Sequence, residues 1–263
     1  MAIKRNAKAR LGVNLDHIAT LRKLRGTPYP SMRSALETVE QAGADQITLH
    51  LREDRRHIEE EDVALVRKRT RVLLNLEMAA TPEMKVYALQ LKPDWICVVP
   101  EKREERTTEG GLDLNRNAAF LRELVQDCEA ADIRVSLFIE PDLGAVREAA
   151  QMGASAVELH TGTYCNGTQG ALGDQSKAIA KHELLRIKEA GLEAERLGLG
   201  VHCGHGLDLK TVKPLARLKG RDGKPLFQEY NIGHFLIAEG VLQGLGKMVR
   251  LMKRTIRNPG GRR

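Results

Sequence analysis

The 263-residue sequence predicts a single α/β domain with the fold of a (β/α)8 TIM barrel. Short apolar runs bounded by Gly, Pro or charge alternate with longer segments of helical period, the pattern of repeated βα units on a parallel sheet. Eight such units can be counted along the chain. The length also agrees with the roughly 250 residues that one barrel occupies. Strands such as Trp95-Ile96-Cys97-Val98-Val99 are apolar throughout rather than alternating, as expected when helices cover one face and a packed interior the other.

In chain order the strand candidates are Leu11–Leu15, Gln46–His50, Val72–Glu77, Trp95–Val99, Val135–Ile139, Ala156–His160, Gly200–Cys203 and Gln228–Ile232. A helical stretch follows each. In the first, Met32, Ala35, Leu36 and Val39 recur at i, i+3, i+4 and i+7 and form one apolar stripe, with Ser31 after Pro30 placed to cap it. An open sheet would present similar strands. Closure is suggested by a repeat: the ten residues Gln41–His50 match Gln151–His160 at Gln, Gly, Ala, Leu and His. The two copies lie in the second and sixth units, an offset of four within eight, as in two similar half-barrels. The segment Lys219–Pro225 reads as an exposed loop before the last strand. No linker, low-complexity tract or second domain interrupts the chain.

Composition narrows the function classes. No run approaches the roughly 20 apolar residues of a membrane span, and Met1–Arg10 lacks the apolar centre of a secretory signal, so a cytoplasmic location is expected. Cys97, Cys128, Cys165 and Cys203 are widely spaced without a CxxC pair and are expected to be reduced. The net charge of +7 is concentrated in residues 1–10 and toward the C-terminus, where 254–263 reads as a second basic tail. Aromatics make up 3% of residues, too few for base-stacking platforms, so no nucleic-acid partner is expected.

The polar residues carry the functional signal, because parallel barrels build their active sites at the C-terminal ends of the strands. Seven of the eight histidines, His17, His50, His57, His160, His202, His205 and His234, fall at predicted strand ends or in the following loops. Any one of them alone would be read as a satisfied core or surface residue; the set would not. Imidazole suits acid, base and phosphate-binding roles near neutral pH. Glu77 and Glu158 are the carboxylates at such positions, and Asn75/Glu77 and Glu158/His160 are spaced two apart, each pair on one strand face. For Glu158 an internal ion pair and a catalytic role are both open.

Two glycine-rich turns, Cys203–Leu207 and Asn231–Phe235, follow the seventh and eighth strands, where barrels often bind phosphate through backbone N–H groups and a helix N-terminus. Arg25, Arg52 and His57 would add positive charge, whereas Arg55 and Arg56 read as a solvated charge run. The charged segment Pro100–Gly111 has the character either of a lid or of an ordinary mobile loop.

These motifs together resemble the pyridoxine 5'-phosphate synthase family. The resemblance rests on Gly12-Val-Asn-Leu-Asp-His-Ile-Ala-Thr-Leu-Arg22, Thr48-Leu-His-Leu-Arg52 continuing to Ile58, Asn75-Leu-Glu-Met78, Val99-Pro-Glu-Lys-Arg103 with Thr107-Thr-Glu-Gly-Gly-Leu-Asp113, Val135-Ser-Leu-Phe-Ile139, Glu158-Leu-His-Thr-Gly162, Gly204-His-Gly-Leu207 and Asn231-Ile-Gly-His234. It runs in order from about Leu11 to Lys253. It implies a barrel with additional helices, a homo-octamer, and condensation of 1-deoxy-D-xylulose 5-phosphate with 3-amino-2-oxopropyl phosphate. The implied products are pyridoxine 5'-phosphate, inorganic phosphate and water. By the same resemblance His50 and Glu77 are general bases, His205 is a general acid, and Glu158 stabilises transition-state charge. Asn14, Arg25, Gly206, Gly233 and His234 would hold the aminoketone phosphate; Asp16, His17, Arg52, His57 and Thr107 would hold the deoxyxylulose phosphate.

The residue types agree with that chemistry. Joining an amine to a ketone, eliminating water and phosphate and closing an aromatic ring needs repeated proton transfers and no redox cofactor. No cofactor and no metal are expected. One departure stands out: where the family commonly reads Asn-Ala-Gly-His-Gly, this chain has His202-Cys203-Gly204-His205-Gly206, read as local repacking rather than a metal pair. Three rival readings remain: a metal-dependent hydrolase barrel, a Schiff-base lyase acting through Lys102, and a non-catalytic binder that works through its basic tails.

Overall fold

The computed structural model describes residues 8–101 and 110–261. Thr107 and Lys102, and most of the Pro100–Gly111 segment, lie outside the described residues. Eight parallel strands close on themselves in sequence order, β1 (Arg10–Asn14), β2 (Gln46–His50), β3 (Leu73–Met78), β4 (Trp95–Val98), β5 (Arg134–Ile139), β6 (Ala156–His160), β7 (Gly200–Gly204) and β8 (Glu229–Ile232), with β8 pairing back onto β1. The strands agree with the predicted ones to within a residue or so at each end.

Helices α2 (Met32–Gln41), α3 (Glu60–Arg69), α4 (Pro82–Leu91), α5 (Ala118–Ala130), α6 (Leu143–Met152), α8 (Ser176–Arg196), α9 (Val212–Ala216) and α11 (Leu245–Arg257) follow the eight strands in turn. Three additional helices, α1 (Asp16–Lys23), α7 (Gly162–Gln169) and α10 (His234–Gln243), sit in the loops after β1, β6 and β8. The stripe read from the sequence is the buried face of α2, where Met32, Ala35, Leu36 and Val39 are all buried and the Ser31 hydroxyl accepts the Ser34 N–H at 3.3 Å. The ten-residue repeat is one structural unit used twice, a helix end, a turn and a strand. Gly43 and Gly153 both take the left-handed conformation, with φ of +96° and +86°, to turn the chain from α2 into β2 and from α6 into β6. Such a φ costs an L side chain roughly 1–2 kcal/mol, which accounts for glycine at both places.

The basic tails require correction. Arg10 belongs to β1, and its Nε donates to the buried Glu229 at 2.8 Å. Residues up to Arg257 belong to α11, whose apolar face of Met248, Val249, Met252 and Ile256 is buried. Lys253 bonds the Gly43 carbonyl and Asp45, and Arg257 reaches Asp45 at 3.4 Å. An amphipathic helix places its charges on one side and its apolar stripe on the other, and here the apolar side is packed on the barrel.

The barrel interior is layered. At its floor Glu229 accepts from Arg10 Nε and, at 2.6 Å, from Gln46 Nε2, with His202 Nδ1 3.7 Å away. His202 was expected near the mouth. It lies within β7, 2% exposed and edge-on to Trp95 with ring centroids 5.0 Å apart. Its neighbour Cys203 belongs to the hydrophobic core between barrel and helices. Adjacent residues of a strand point to opposite sides of the sheet, so His202 and Cys203 do not share an ion. All four cysteines are buried and free.

Candidate active site

A cavity of about 650 Å³ opens at the C-terminal ends of the strands. It is lined by Asn14, Asp16, His17, His50, Arg52, His57, Glu77, Glu158, His205, Gly206, Gly233 and His234, among others, so twelve of the fourteen predicted site residues meet there. Arg25 does not; it stands exposed on the turn after α1. Thr107 is outside the described residues.

The deepest layer is a carboxylate network. Glu158 on β6 accepts the Asn231 side-chain N–H at 2.6 Å and the Cys97 thiol at 3.8 Å, and Thr48 donates to the other side of Asn231 at 3.3 Å. Among the described residues no cation pairs with Glu158, so the internal ion-pair reading belongs to Glu229 instead. Burial, with nearby Glu229, pushes the Glu158 carboxyl up to about 7 despite the Asn231 bond. Glu77 on β3 is also raised well above its ordinary value, by burial and by the carboxylates of Asp16 and Glu158. Asn14 Nδ2 bridges the pair, donating to Asp16 at 2.8 Å and to Glu77 at 3.4 Å. Asp16 is fixed in turn by the backbone N–H of His50, 2.8 Å from Oδ1.

His50 ends β2 with Nδ1 3.9 Å from Glu77 and Nε2 2.7 Å from Glu101. Glu101, just after β4, is a partner that sequence reasoning missed. Asp16, His50 and Glu77 each bring one ligand-type atom within 4.8 Å of the others, an arrangement a divalent ion could use. Among themselves they are linked through Asn14, which donates to both carboxyls, and through the His50 backbone N–H on Asp16, while the His50 ring stands 3.9 Å from Glu77.

Two imidazole pairs define the rim. His17 in the first turn of α1 meets His234 edge-on at 5.1 Å, and burial together with His234 lowers the His17 pKa. His234 opens α10 immediately after Gly233, so this pair sits at a helix N-terminus whose free N–H groups and dipole favour an anion. After the neighbouring strand β2, burial, His50 and Arg52 push His57, whose ring centroid lies 6.1 Å from that of His50, down to about 3. Its Nδ1 accepts the Ile58 N–H at 2.8 Å, which leaves the ring proton on Nε2 as a donor.

His205 follows β7 with φ of +76°, a conformation few non-glycine residues adopt and one often found at functional sites. Thr161 holds it: the hydroxyl lies 2.7 Å from both the Gly204 and His205 carbonyls and donates its one proton between them. Burial and the neighbouring His160 push the His205 imidazole down to about 4.

The chain is similar over almost its whole length to proteins of one kind. It is 49% identical over 244 residues to pyridoxine 5'-phosphate synthase from Thioalkalivibrio sulfidiphilus, covering 93% of this chain and 94% of that one. To the protein of the same name from Synechococcus sp. it is 48% identical, covering 94% and 98%. Among solved structures, 3-keto-L-gulonate-6-phosphate decarboxylase from Vibrio cholerae matches with a TM-score of 0.62 at 12% identity, covering 95% of this chain and 97% of that one. At that identity the likeness concerns the barrel alone. The family model described as pyridoxal phosphate biosynthesis protein PdxJ matches residues 11–258. With the sequence matched from β1 through α11, the chain belongs to the PdxJ family of pyridoxal phosphate biosynthesis proteins.

Proposed function

We propose that this barrel condenses 1-deoxy-D-xylulose 5-phosphate with 3-amino-2-oxopropyl phosphate and closes the pyridine ring of pyridoxine 5'-phosphate, releasing inorganic phosphate and water. The observation that carries the reading is the single cavity in which His50, Glu77, Glu158 and His205 converge between two phosphate-suited rims. Its volume falls within the roughly 300–1,000 Å³ of small-molecule sites. The rim at Gly233, His234 and Asn14, together with Gly206, takes the aminoketone phosphate, and that at Arg52, His57 and His17 takes the deoxyxylulose phosphate. For Arg25 and Thr107 the family resemblance alone supports a binding role.

His50 and Glu77 serve as bases, and a carboxylate held above its ordinary range is the stronger base once ionised. The amine of the aminoketone, entering beside Asp16, Glu77 and Glu158, supplies positive charge that favours their ionised forms. Glu158 then stabilises cationic intermediates of the condensation. His205, neutral in the resting site, gains proton affinity from the phosphate dianions and delivers the proton that a leaving oxygen needs. Because the substrate carries its own amine, no enzyme lysine has to form a Schiff base.

The protein works, in this proposal, as a cytoplasmic homo-octamer. Support comes from the resemblance and from exposed apolar side chains on the turn after α1 and the end of α10, Leu24, Tyr29, Val241 and Leu242, which are 68–81% exposed in the single chain. No helix among the described residues is long and apolar enough to cross a membrane.

The test incubates chelator-treated protein with both phosphorylated substrates and follows pyridoxine 5'-phosphate and inorganic phosphate. Product without added metal is expected. Activity that appears only when a divalent cation is restored would overturn the reading in favour of metal chemistry at Asp16, His50 and Glu77.

A further inference from the structure

Next to His205, but outside the cavity lining, stand two residues that the proposed reaction does not use. His160 ends β6 and Glu140 follows β5; His160 Nδ1 lies 2.8 Å from Glu140 Oε1. The same oxygen accepts the Gly111 N–H at 2.9 Å, which fixes the carboxylate from a second side. An ionised carboxylate only accepts hydrogen bonds, so the neutral His160 ring carries its proton on Nδ1 and a lone pair on Nε2. That Nε2 is buried without a hydrogen-bond partner among the described residues, in a side chain 6% exposed. Buried polar atoms are nearly always paired, so an exception calls for a reason.

The ring is wedged edge-on between Phe138, at 5.4 Å, and His205, at 5.0 Å. The two imidazoles meet over Gly162: a Cβ there would come 2.5 Å from His160 Nε2 and 3.0 Å from His205 Cδ2. Thr161, between His160 and Gly162, fixes the His205 main chain. The His205 main chain is thus anchored by one residue, and its ring packs against the next residue back along β6.

We propose that His160, held by Glu140, positions the His205 ring and places a negative charge behind it, so that His205 can carry the proton it delivers. This rests on His205 being the acid of the proposed reaction. His160 acts through His205 and does not touch substrate. Among the described residues the charged and titratable groups facing this pair are Glu140 after β5, His160 and His205 themselves, Arg186 on α8, which acts on Glu140, and Cys165 on α7. Burial pushes the Cys165 thiol up to about 12, so it stays neutral. Of these groups Glu140 is the one that raises the proton affinity of His205, against burial and His160, which lower it.

The sign of the effect follows. A step that needs protonated His205 is lost as pH rises through its pKa, and removing the Glu140 charge lowers that pKa. In Glu140→Gln the alkaline limb of the kcat profile should therefore move to lower pH. Turnover should fall about 10–100-fold, the usual cost of removing a carboxylate that orients a functional histidine, in both Glu140→Gln and His160→Asn. KM for both substrates should stay within about twofold, since binding contacts are untouched. Glu140→Asp should recover part of the loss. In a His205→Asn background, Glu140→Gln should cost nothing further, because residues that act as a unit are not additive.

Melting curves establish that each variant folds, and NMR titration of the labelled His205 imidazole, wild type against Glu140→Gln, reads the coupling without activity. An unmoved limb, independent losses that multiply, or an unshifted His205 titration overturns the inference. A folded wild type that makes no product refutes the synthase reading, while the titration still decides whether the pair acts on His205.

Discussion

Glu101 Oε1 stands 2.7 Å from His50 Nε2, and since a carboxylate only accepts, the neutral ring keeps its proton on Nε2 and offers the lone pair of Nδ1, on the Glu77 side. In the proposed reaction the base nitrogen of His50 is therefore Nδ1, and Glu101 fixes that tautomer. Replacing Glu101 with Gln should lower kcat about 10–100-fold with the melting temperature little changed, measured by steady-state kinetics and thermal melts. An unaltered kcat would remove Glu101 from the orientation of His50. This partnership shows the limit of reading residues from sequence. His50, Glu77, Glu158 and His205 were legible because strand ends of a parallel barrel face one mouth. Glu101 and Glu140 were not, because each meets its histidine from a different strand, 51 and 20 residues away, and no spacing rule connects them. His202 was misplaced for a different reason: strand position gave its unit, but its depth depends on register, which puts His202 level with Glu229 at the barrel floor.

At the scale of elements, β7 shows how one strand serves two layers. His202 faces the floor, and Gly204, two residues on and on the same inner face, makes room for the Glu158 carboxyl: a Cβ at Gly204 would lie 2.1 Å from Glu158 Oε1 and 3.2 Å from the Asn231 carbonyl. Gly204→Ala should force Glu158 out of its bond with Asn231. Overpacking of this kind costs about 1–3 kcal/mol, which for a chain of this size lowers the melting temperature by roughly 2–12 °C. The accompanying loss of kcat should exceed about tenfold, as expected when a positioned catalytic group is displaced. A melt and a kcat both equal to wild type would show that Glu158 moves aside freely. The strands and the α2 stripe were legible from apolar runs and a 3.6-residue period. The packing of α11 was not, because its high charge masked an apolar face that is recognised as core only once α2, α9 and β1 stand beside it.

For the whole molecule, several buried imidazoles and carboxyls are held toward their neutral forms, while Glu229 stays charged beside Arg10, and the two neutral sets pull stability in opposite directions with pH. Burial holds His57 at about 3 and His202 and His205 at about 4, all below the ordinary 6.5. On unfolding below pH 6.5 these rings take up protons, so their contribution is full above about 6.5 and is lost as pH falls toward 4. Glu158, held at about 7 by burial, and Glu77, held well above its ordinary value, behave oppositely. They keep protons that the unfolded chain releases above about 4.5, so their contribution is full below that pH and is lost as pH rises through the folded values. His17 is likewise lowered and Asp16 likewise raised, so four imidazoles outweigh three carboxyls on the acid side, and above about 6.5 the carboxyls act alone, which places the stability maximum near pH 6.5. Melting temperatures measured from about pH 4.5 to 9 should trace a dome with its summit there. Each group contributes up to about 1.4 kcal/mol per pH unit within its window. His202→Asn should flatten the acid limb, and Glu158→Gln should flatten the alkaline limb while lowering kcat. A melting temperature that stays level from pH 6.5 to 9 would mean that Glu158 and Glu77 are ionised in the resting barrel, and the site would then have to accommodate their repulsion rather than avoid it.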